Sequence, residues 1–233
     1  MVYVISDLHG YPLVRFKKLL RSADFSSEDY LYIIGDVIDR NGDGGIRILQ
    51  WIMDQPNIRL ILGNHEAMLL SCDFLFYEYE DMLVWDLNAE QTDRMSLYMW
   101  NGGDVTVRSL RAITSEQRLI IFEYLKKCPL YESISVGEQK FILIHSGFSN
   151  FSINRRLSDY TADELLWTRP SLSDRYFDDK TTILGHTPTK YYGEHYRGQI
   201  IKTKTWIDID VGAGSGEEPV LLRLDDYQEF RLN

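Results

Sequence analysis

Short apolar runs recur along the chain, and each is bounded by glycine or by polar residues. They are rich in valine, isoleucine, leucine and tyrosine, and they occupy residues 2–5, 30–34, 58–62, 140–144, 181–184, 206–211 and 220–224. Runs of this length are typical of strands in a sheet that is covered on both faces. We therefore predict a strand at each run. The glycine-rich segment 211–219 is followed by no helical pattern, so we predict a hairpin turn there rather than a phosphate-binding loop.

Helical patterns separate the first three predicted strands. Residues 12–23 begin with proline at a plausible first helical position and place Phe16 and Leu19 on one face. Residues 45–53 give a second amphipathic pattern. Alternation of strand and helix predicts βαβ units and an α/β core.

The pattern changes between residues 67 and 127, where helical signals replace strand signals. The predicted helices cover residues 67–85, 94–100 and 115–127, with a turn at 101–106. No linker, repeat or low-complexity tract accompanies this change. We therefore predict a helical insertion around 67–127 within a single domain that spans residues 1–233.

Composition excludes some classes of protein and leaves others open. With 44% hydrophobic and 26% charged residues, the 233-residue chain has the composition of a soluble globular protein. Its net charge of −10 disfavours a nucleic-acid polymer as partner, because such binding usually needs a basic stripe. The two cysteines, Cys72 and Cys128, form no disulfide framework and favour a reducing compartment. Without a signal-peptide pattern or a run long enough to span a membrane, we predict a cytoplasmic protein with no membrane partner.

Five of the predicted strands end in residues that commonly bind metals or act in catalysis. In chain order, these residues are Asp7 and His9, then Asp36, Asp39 and Arg40, then Asn64, His65 and Glu66, then His145, and finally His186. A single histidine after a strand is usually structural, and a single Gly-Asp pair is usually a turn. Five unrelated turns, however, would have no reason to collect four of the chain's five histidines. Since ligands bind at the carboxyl ends of strands in open α/β sheets, we predict one functional site there.

The residue types in this set indicate which ions would bind. Aspartate, asparagine and histidine without cysteine suit divalent ions such as Mn²⁺, Fe²⁺ or Zn²⁺. The set holds more potential ligands than one catalytic ion needs. Two ions bridged by a carboxylate account for the surplus, and this arrangement is used in phosphoester hydrolysis.

Five short motifs resemble those of the calcineurin-like metallophosphoesterases, and most closely the bacterial and phage branch of the phosphoprotein phosphatase family. They are D-x-H at 7–9, G-D-x-x-D-R at 35–40, G-N-H-E at 63–66, H-S-G at 145–147 and G-H-T at 185–187. The resemblance implies a four-layer α/β/β/α sandwich. It also implies two divalent metal ions as cofactors, with Mn²⁺ expected and iron or zinc as alternatives.

The resemblance further implies a role for each site residue. The implied metal ligands are Asp7 and His9 for the first ion, Asp36 as a bridge, and Asn64, His145 and His186 for the second ion. The implied catalytic residues are Arg40 and Arg169 as phosphate ligands, His65 as proton donor to the leaving oxygen, and Asp39 as the residue that orients His65. Arg169 is assigned from the segment LLWTRP at 165–170.

At three positions, the sequence leaves a purely structural role open beside the functional one. Glu66 either orders the site or caps the helix that follows it. Arg169 has the alternative of a surface ion pair with Asp163 or Glu164. The segment 100–102 either shapes substrate entry or is an ordinary turn between helices.

The implied activity is that of a metal-dependent phosphatase, of the serine/threonine protein phosphatase type, acting on phosphomonoesters by direct attack of metal-bound hydroxide. The expected partner is a phosphorylated protein or a small phosphoester, and no oligomeric state is predicted. Three departures from the eukaryotic pattern weaken a strict protein phosphatase assignment, namely Ser6, Asn41 and the serine of H-S-G.

A symmetrical dinucleoside tetraphosphatase is the main alternative activity. Its longer polyphosphate would need further cations near the cleft, for which the chain offers Arg155, Arg156, Lys190 and Arg197. A catalytically inactive phosphate-binding or scaffold protein is disfavoured by the intact ligand set. A metal-dependent nuclease is disfavoured by the lack of a basic stripe.

Overall fold

Ten strands of the computed structural model, which describes residues 1–76 and 87–232, form two five-stranded sheets. In spatial order, sheet 1 consists of β10 (Glu229–Phe230), β9 (Leu221–Arg223), β1 (Val2–Ile5), β2 (Tyr30–Ile34) and β3 (Ile58–Ile61). Sheet 2 consists of β4 (Tyr131–Val136), β5 (Gln139–Ile144), β6 (Thr181–Leu184), β8 (Trp206–Asp208) and β7 (Ile201–Lys202). All seven apolar runs contain a strand, although the run 206–211 is a strand only over its first three residues.

Each sheet contains three neighbouring parallel strands, and the strands added beside them are antiparallel. In sheet 1, β2 pairs in parallel with β1 and with β3. In sheet 2, β6 pairs in parallel with β5 and with β8. Parallel strands end at the same edge, so the loops after these six strands are brought together.

Three strands were not predicted from the sequence. Side chains of β4 alternate between partly buried and exposed, so this strand at the edge of sheet 2 has no continuous apolar run. Strands β7 and β10 have only two residues each. Such short elements depend on pairing with a neighbouring strand and leave little local signal.

The two sheets pack face to face around an apolar layer. Val4 and Ile34 of sheet 1 contact this layer from one side, and Leu143 and Ile183 of sheet 2 from the other. Side chains alternate along a strand, so neighbouring residues such as Ile33 face the opposite, outer side of sheet 1. Both faces are buried, which explains the continuous apolar runs.

The outer face of sheet 1 is covered by helices, and the outer face of sheet 2 mostly by loops. The helices that cover sheet 1 or extend from it are α1 (Leu13–Ser22), α2 (Ile46–Met53), α3 (Asn64–Ser71), α4 (Ala89–Trp100), α5 (Asp104–Arg111) and α6 (Ser115–Lys127). Sheet 2 is covered by the short helix α7 (Ala162–Leu166) and by aromatic side chains such as Phe148. The predicted four-layer sandwich is confirmed, with a thin fourth layer.

The predicted helical insertion is confirmed, but its helices differ from the prediction. Helix α5 was not predicted. Within the predicted helix 67–85, the α-helix ends at Ser71 and a 3₁₀ helix follows at Asp73–Phe76, whereas residues 77–85 lie outside the described residues. Asn88 caps α4 and Thr114 caps α6, each through a hydrogen bond from a backbone amide three residues later. Tyr98 and Leu110 bury their side chains in the cluster that covers sheet 1.

The predicted hairpin at 211–219 is wrong. Strand β8 belongs to sheet 2 and β9 to sheet 1, so this segment crosses from one sheet to the other. Gly212 and Gly216 adopt left-handed conformations, with φ of 100° and 99°, on either side of a short 3₁₀ helix, Ala213–Ser215. We call residues 211–219 the crossing segment. It runs beside the carboxyl ends of the parallel strands and contacts His9 there.

Both cysteines are free thiols. Burial raises the pKa of Cys128 to about 12 and also raises the pKa of Cys72, so both thiols keep their protons at neutral pH. Within residues 1–76 and 87–232, no helix has the length and apolar character needed to cross a membrane.

Candidate metal centre

Side chains from the loops after β1, β2, β3, β5 and β6 meet between the two sheets. The predicted metal ligands are all buried there, namely Asp7, His9, Asp36, Asn64, His145 and His186. Asn64 Oδ1 lies 2.8 Å from His145 Nε2 and 2.9 Å from His186 Nδ1. Both oxygens of Asp7 accept the backbone N–H of His186, at 3.2 and 3.0 Å. The six side chains therefore form one cluster.

The backbone at this cluster is strained. Nine non-glycine residues of the described chain have positive φ, and six of them belong to the predicted site, namely Asp7, His9, Asp36, Asp39, Arg40 and His186. A residue with a side chain pays about 1–2 kcal/mol for this conformation. Such strain persists only where surrounding contacts hold the backbone in place.

Glu66 supplies many of these contacts. Its buried carboxylate accepts the backbone N–H groups of Asp36 at 2.9 Å, Val37 at 2.8 Å and Gly63 at 3.0 Å. The bond from Gly63 completes the cap of α3, and the other two fix the loop that carries Asp36. Both alternatives for Glu66 therefore apply, because one carboxylate caps the helix and orders the site.

Two glycines allow the loops to approach this closely. A Cβ atom on Gly63 would lie 2.2 Å from Asp36 Oδ1. Gly35 has a φ of 76°, and a Cβ atom on it would lie 2.6 Å from the Cα atom of Gly63. The glycines of the G-D and G-N motifs therefore leave the space in which the ligand side chains meet.

The histidine orientations fit a cation site. The Nδ1 atoms of His9 and His145 lie 3.0 and 2.9 Å from the carbonyl oxygens of Ile38 and Ile34, and therefore carry the protons. Each Nε2 atom then presents a lone pair. The Nε2 atom of His145 faces the side-chain oxygen of Asn64. Two acceptors in contact repel unless a cation lies beside both. The buried Nε2 of His186 also lacks a hydrogen-bond partner, so the donor set fits metal ions.

Asp36 belongs to two groups of potential ligands. One group is His9, Asp36 and His65, and the other is Asp36, His145 and His186; in each, the ligand atoms lie within 4.8 Å of one another. Its Oδ2 lies 3.6 Å from His9 Nε2, whereas its Oδ1 lies 3.4 Å from His145 Nε2. Asp36 is thus placed to contact two ions. Asp7, a predicted ligand, lies beside these groups but belongs to neither.

Burial controls the protonation of the cluster. It raises the pKa of Asp36, and the neighbouring Asp7 carboxylate raises it further; burial and Asp210 do the same for Asp7. Burial lowers the pKa of His145 to about 3 and that of His186 to about 2. Without cations, burial favours the neutral forms of both the acids and the imidazoles. Bound cations would favour the ionised carboxylates instead.

Two arginines lie beside the ligand cluster. Arg40 Nη2 lies 3.1 Å from His65 Nε2. Arg169 Nη1 donates to the carbonyl oxygen of His186 at 3.2 Å and to Thr187 at 3.4 Å. The surface ion pair considered for Arg169 does not form with Glu164, which binds Arg155 instead. Both guanidinium groups therefore border the cluster.

The turn predicted at 101–106 covers only residues 101–103, and it contacts the site. Arg40 donates its backbone N–H to the carbonyl oxygen of Gly102 at 3.0 Å. The indole of Trp100 is 89% exposed, so this residue extends into solvent. Residues 101–103 are thus a turn between helices α4 and α5, and Gly102 also holds the backbone of a predicted catalytic residue.

Several residues near the site were missed by sequence reasoning. Asp208 and Asp210 are buried at and after the end of β8, and burial raises the pKa of Asp210 to about 6. A sequence signal was available, because two aspartates alternate with apolar residues within the run 206–211. Tyr98 and Thr106 contact Asp39 from the insertion and left no comparable signal.

Two packed sheets with acids and imidazoles at their shared edge define a phosphoesterase-type sandwich. The calcineurin-like phosphoesterase model matches residues 1–210. The chain therefore belongs to that family.

The most similar relatives carry two different activities in their names. A symmetrical bis(5'-nucleosyl)-tetraphosphatase of Haemophilus ducreyi is 26% identical over 192 residues, which cover 81% of this chain and 59% of that protein. Serine/threonine-protein phosphatase 1 of Salmonella typhimurium is 23% identical over 240 residues, which cover 96% of this chain and 91% of that protein. The chain thus spans less than two thirds of the first relative and most of the second.

Solved structures with a similar fold also include both kinds of protein. The crystal structure of a putative diadenosine tetraphosphatase has a TM-score of 0.62 and 17% identity, covering 99% of this chain and 92% of the other. A protein serine/threonine phosphatase from Saccharomyces cerevisiae has a TM-score of 0.61 and 13% identity, and the match covers 100% of this chain and 80% of the other. At these identities, the likeness establishes the fold alone.

The shared position of Asp36 predicts how metal content responds to substitution. Asp36→Asn should bind at most one Mn²⁺ per chain where the unaltered protein binds two, because the amide cannot bridge two cations as a carboxylate does. Elemental analysis after gel filtration measures the content, and Asp39→Asn, outside both ligand groups, serves as the control with two ions. Two ions per chain in Asp36→Asn would contradict the bridging position.

The raised pKa values of Asp7 and Asp36 predict that metal binding releases protons. These carboxyl groups must ionise to bind a cation, whereas His145 and His186 are already neutral because their pKa values are lowered. The affinity for Mn²⁺ should therefore rise with pH through the raised titration range of these two carboxyl groups. Calorimetry in buffers of different ionisation enthalpy would measure the released protons. An affinity that does not change with pH would refute this account.

Proposed function

We propose that this chain is a metal-dependent phosphoester hydrolase that removes single phosphate groups from phosphoproteins, as serine/threonine-type phosphatases do. The observation that carries the proposal is the placement of two guanidinium groups beside a buried cluster that fits two divalent cations. Asp7 and His9 would hold one ion, with Asp36 shared between both. Asn64, His145 and His186 would hold the other, and Mn²⁺ is the first ion to test.

The metal pair would lower the pKa of water and offset the charge of the phosphate. The chain's own residues bind and orient the substrate. Arg40 and Arg169 present planar sets of N–H donors from two sides of the cluster, and such donors match the oxygens of a phosphate. They would bind the oxygens on which negative charge develops in phosphoryl transfer.

His65 is placed to donate a proton to the leaving oxygen. Its Nδ1 lies 2.6 Å from Asp39 Oδ2, so Asp39 fixes the orientation and the tautomer of the ring. The opposite nitrogen, Nε2, faces Arg40 at 3.1 Å. A phosphate bound by Arg40 would therefore lie close to the nitrogen that carries the transferred proton.

The distribution of the other cations favours a single phosphate over a polyphosphate. Arg155 binds both oxygens of Glu164 at 2.7 Å. With Arg156, it lines a depression of about 600 Å³ on sheet 2, and none of the residues that line this depression is a predicted site residue. Neither arginine therefore borders the metal cluster.

The other two cations considered for polyphosphate binding, Arg197 and Lys190, have different surroundings. Arg197 forms ion pairs with Glu194 and Glu217. Thr189, next to Lys190 in the chain, donates its backbone N–H to the carbonyl oxygen of Asp210 at 2.9 Å, so this lysine lies near the site. Lys190 is thus the one of the four predicted cations that supports a polyphosphate subsite.

Hydrolysis of dinucleoside polyphosphates is the second candidate function. It is favoured by the name of the Haemophilus ducreyi relative and by the position of Lys190. In this case Lys190 would bind the phosphate next to the one that is attacked. The metal cluster and the two arginines would keep the roles described above.

A direct comparison of substrates distinguishes these functions. With Mn²⁺ present, we expect kcat/KM to be at least about tenfold higher for a phosphothreonine peptide than for diadenosine tetraphosphate, because two arginines suffice for one phosphate. p-Nitrophenyl phosphate serves as the reference for intrinsic activity. The reverse order would establish the second candidate, and no hydrolysis of any substrate would indicate a phosphate-binding protein without catalysis.

The proton-donor role predicts a dependence on the leaving group. His65→Asn should keep both metal ions and lose about 10²–10⁴-fold in kcat on alkyl phosphomonoesters, the usual contribution of a general acid. The loss should be much smaller for p-nitrophenyl phosphate, because nitrophenolate leaves without a proton. An unchanged rate on alkyl phosphomonoesters would rule out this role for His65.

A further inference from the structure

The helical insertion contacts Asp39 through two hydroxyl groups. Tyr98 Oη, from α4, donates to Asp39 Oδ1 at 2.6 Å, and Thr106 Oγ1, from α5, donates to the same oxygen at 2.6 Å. All three side chains are completely buried. Neither hydroxyl belongs to the metal cluster, so their contact with a catalytic carboxylate calls for its own explanation.

The two oxygens of Asp39 have different partners. Oδ2 faces His65 Nδ1, whereas Oδ1 accepts from Tyr98 and Thr106. A carboxylate bound on one side alone can rotate about its Cβ–Cγ bond. Donors on the second oxygen restrict that rotation and therefore fix the direction in which Oδ2 points. Hydrogen bonds to a buried, charged acceptor are among the stronger ones in proteins.

The phenol of Tyr98 is suited to act as a permanent donor. Burial, and then the charge of Asp39, hold the pKa of Tyr98 well above its ordinary value, so the hydroxyl keeps its proton. Thr106 makes a second contact with the same residue, because its Oγ1 lies 3.1 Å from the backbone nitrogen of Asp39. Both the side chain and the backbone of Asp39 are therefore held by the insertion.

The turn between α4 and α5 holds the next residue as well. Gly102 accepts the backbone N–H of Arg40, as described above. A Cβ atom on Gly103 would lie 2.7 Å from the ring of Tyr98, so glycine lets the ring pack against the turn. The insertion thus contacts two consecutive residues, Asp39 and Arg40, that carry separate parts of the proposed chemistry.

We propose that Tyr98 and Thr106 are positioning residues for the proton donor, acting through Asp39 on the orientation of His65. The proposal rests on the proposed function, in which His65 protonates the leaving oxygen. It assigns a catalytic purpose to a helical insertion whose described residues, 67–76 and 87–127, belong to neither group of potential metal ligands. Loss of either hydroxyl should slow the chemical step for substrates that need a proton, and leave metal binding and substrate affinity in place.

Tyr98→Phe tests the proposal directly, because it keeps the ring against Gly103 and removes only the hydroxyl. We expect kcat on an alkyl phosphomonoester to fall about tenfold, the effect of one buried hydrogen bond to a charged group, with KM changed less than about twofold. On p-nitrophenyl phosphate, kcat should fall less than about twofold, because no proton is needed. The metal content should stay at two ions per chain.

Matched variants separate positioning from general destabilisation. Tyr3→Phe also removes a buried phenol hydroxyl, which donates to the carbonyl oxygen of Ala23, and should change neither rate. Thr106→Val should reproduce the dependence on the leaving group, and Thr106→Ser should restore the alkyl rate because it retains the hydroxyl. Combined with His65→Asn, Tyr98→Phe should have no further effect on the alkyl rate, since both act on one proton transfer.

Two results would overturn the proposal, and they can be told apart from failure of the proposed function. If His65→Asn shows a dependence on the leaving group and Tyr98→Phe slows both substrates equally or neither, the positioning role is wrong and the proton-donor role stands. If His65→Asn itself shows no such dependence, the proton-donor role fails and the positioning role fails with it.

Discussion

The carboxylate of Asp36 is buried between two sets of imidazoles, and much of the site depends on how its negative charge is neutralised. Burying an unpaired carboxylate costs several kcal/mol, and the carboxyl groups of Asp7 and Glu66 lie close enough to add to that cost. Hydrogen bonds to backbone carbonyls turn the lone pairs of His9 and His145 toward Asp36, so the histidines supply ligands and no protons. Divalent cations are the partners that satisfy this arrangement. The strained backbone and the Glu66 contacts are the means by which the fold holds it.

The residues that end parallel strands could be predicted from the sequence, whereas those that reach the site from other elements could not. Asp36, Asn64 and His145 follow apolar runs either directly or after one glycine, and parallel strands bring such positions to one edge. The same reasoning applied to the run 206–211 would have found Asp210. Tyr98 lies in an amphipathic helix, where a buried tyrosine is ordinary core by local pattern. Its contact with Asp39 spans 59 residues and depends on how α4 packs.

The crossing segment shows the same limit of local reasoning. Glycines between two strand-like runs favour a hairpin by pattern, but the two strands belong to different sheets. The crossing brings Gly214 against the site, where a Cβ atom would lie 2.5 Å from His9 and 2.9 Å from Arg40. The sheets thus supply the predicted ligands, while the insertion and the crossing segment hold His9, Asp39 and Arg40 from outside. Elements without a metal ligand therefore shape the centre from two sides.

The central claim is that Asp36 is shared by two cations, and anomalous diffraction from crystals grown with Mn²⁺ tests it most directly. Data collected at the manganese absorption edge locate each ion without reference to the protein phases. We predict two peaks about 3.5–4 Å apart, the usual separation in two-metal sites, each within bonding distance of an oxygen of Asp36. A single peak, or two peaks of which only one contacts Asp36, would contradict the account.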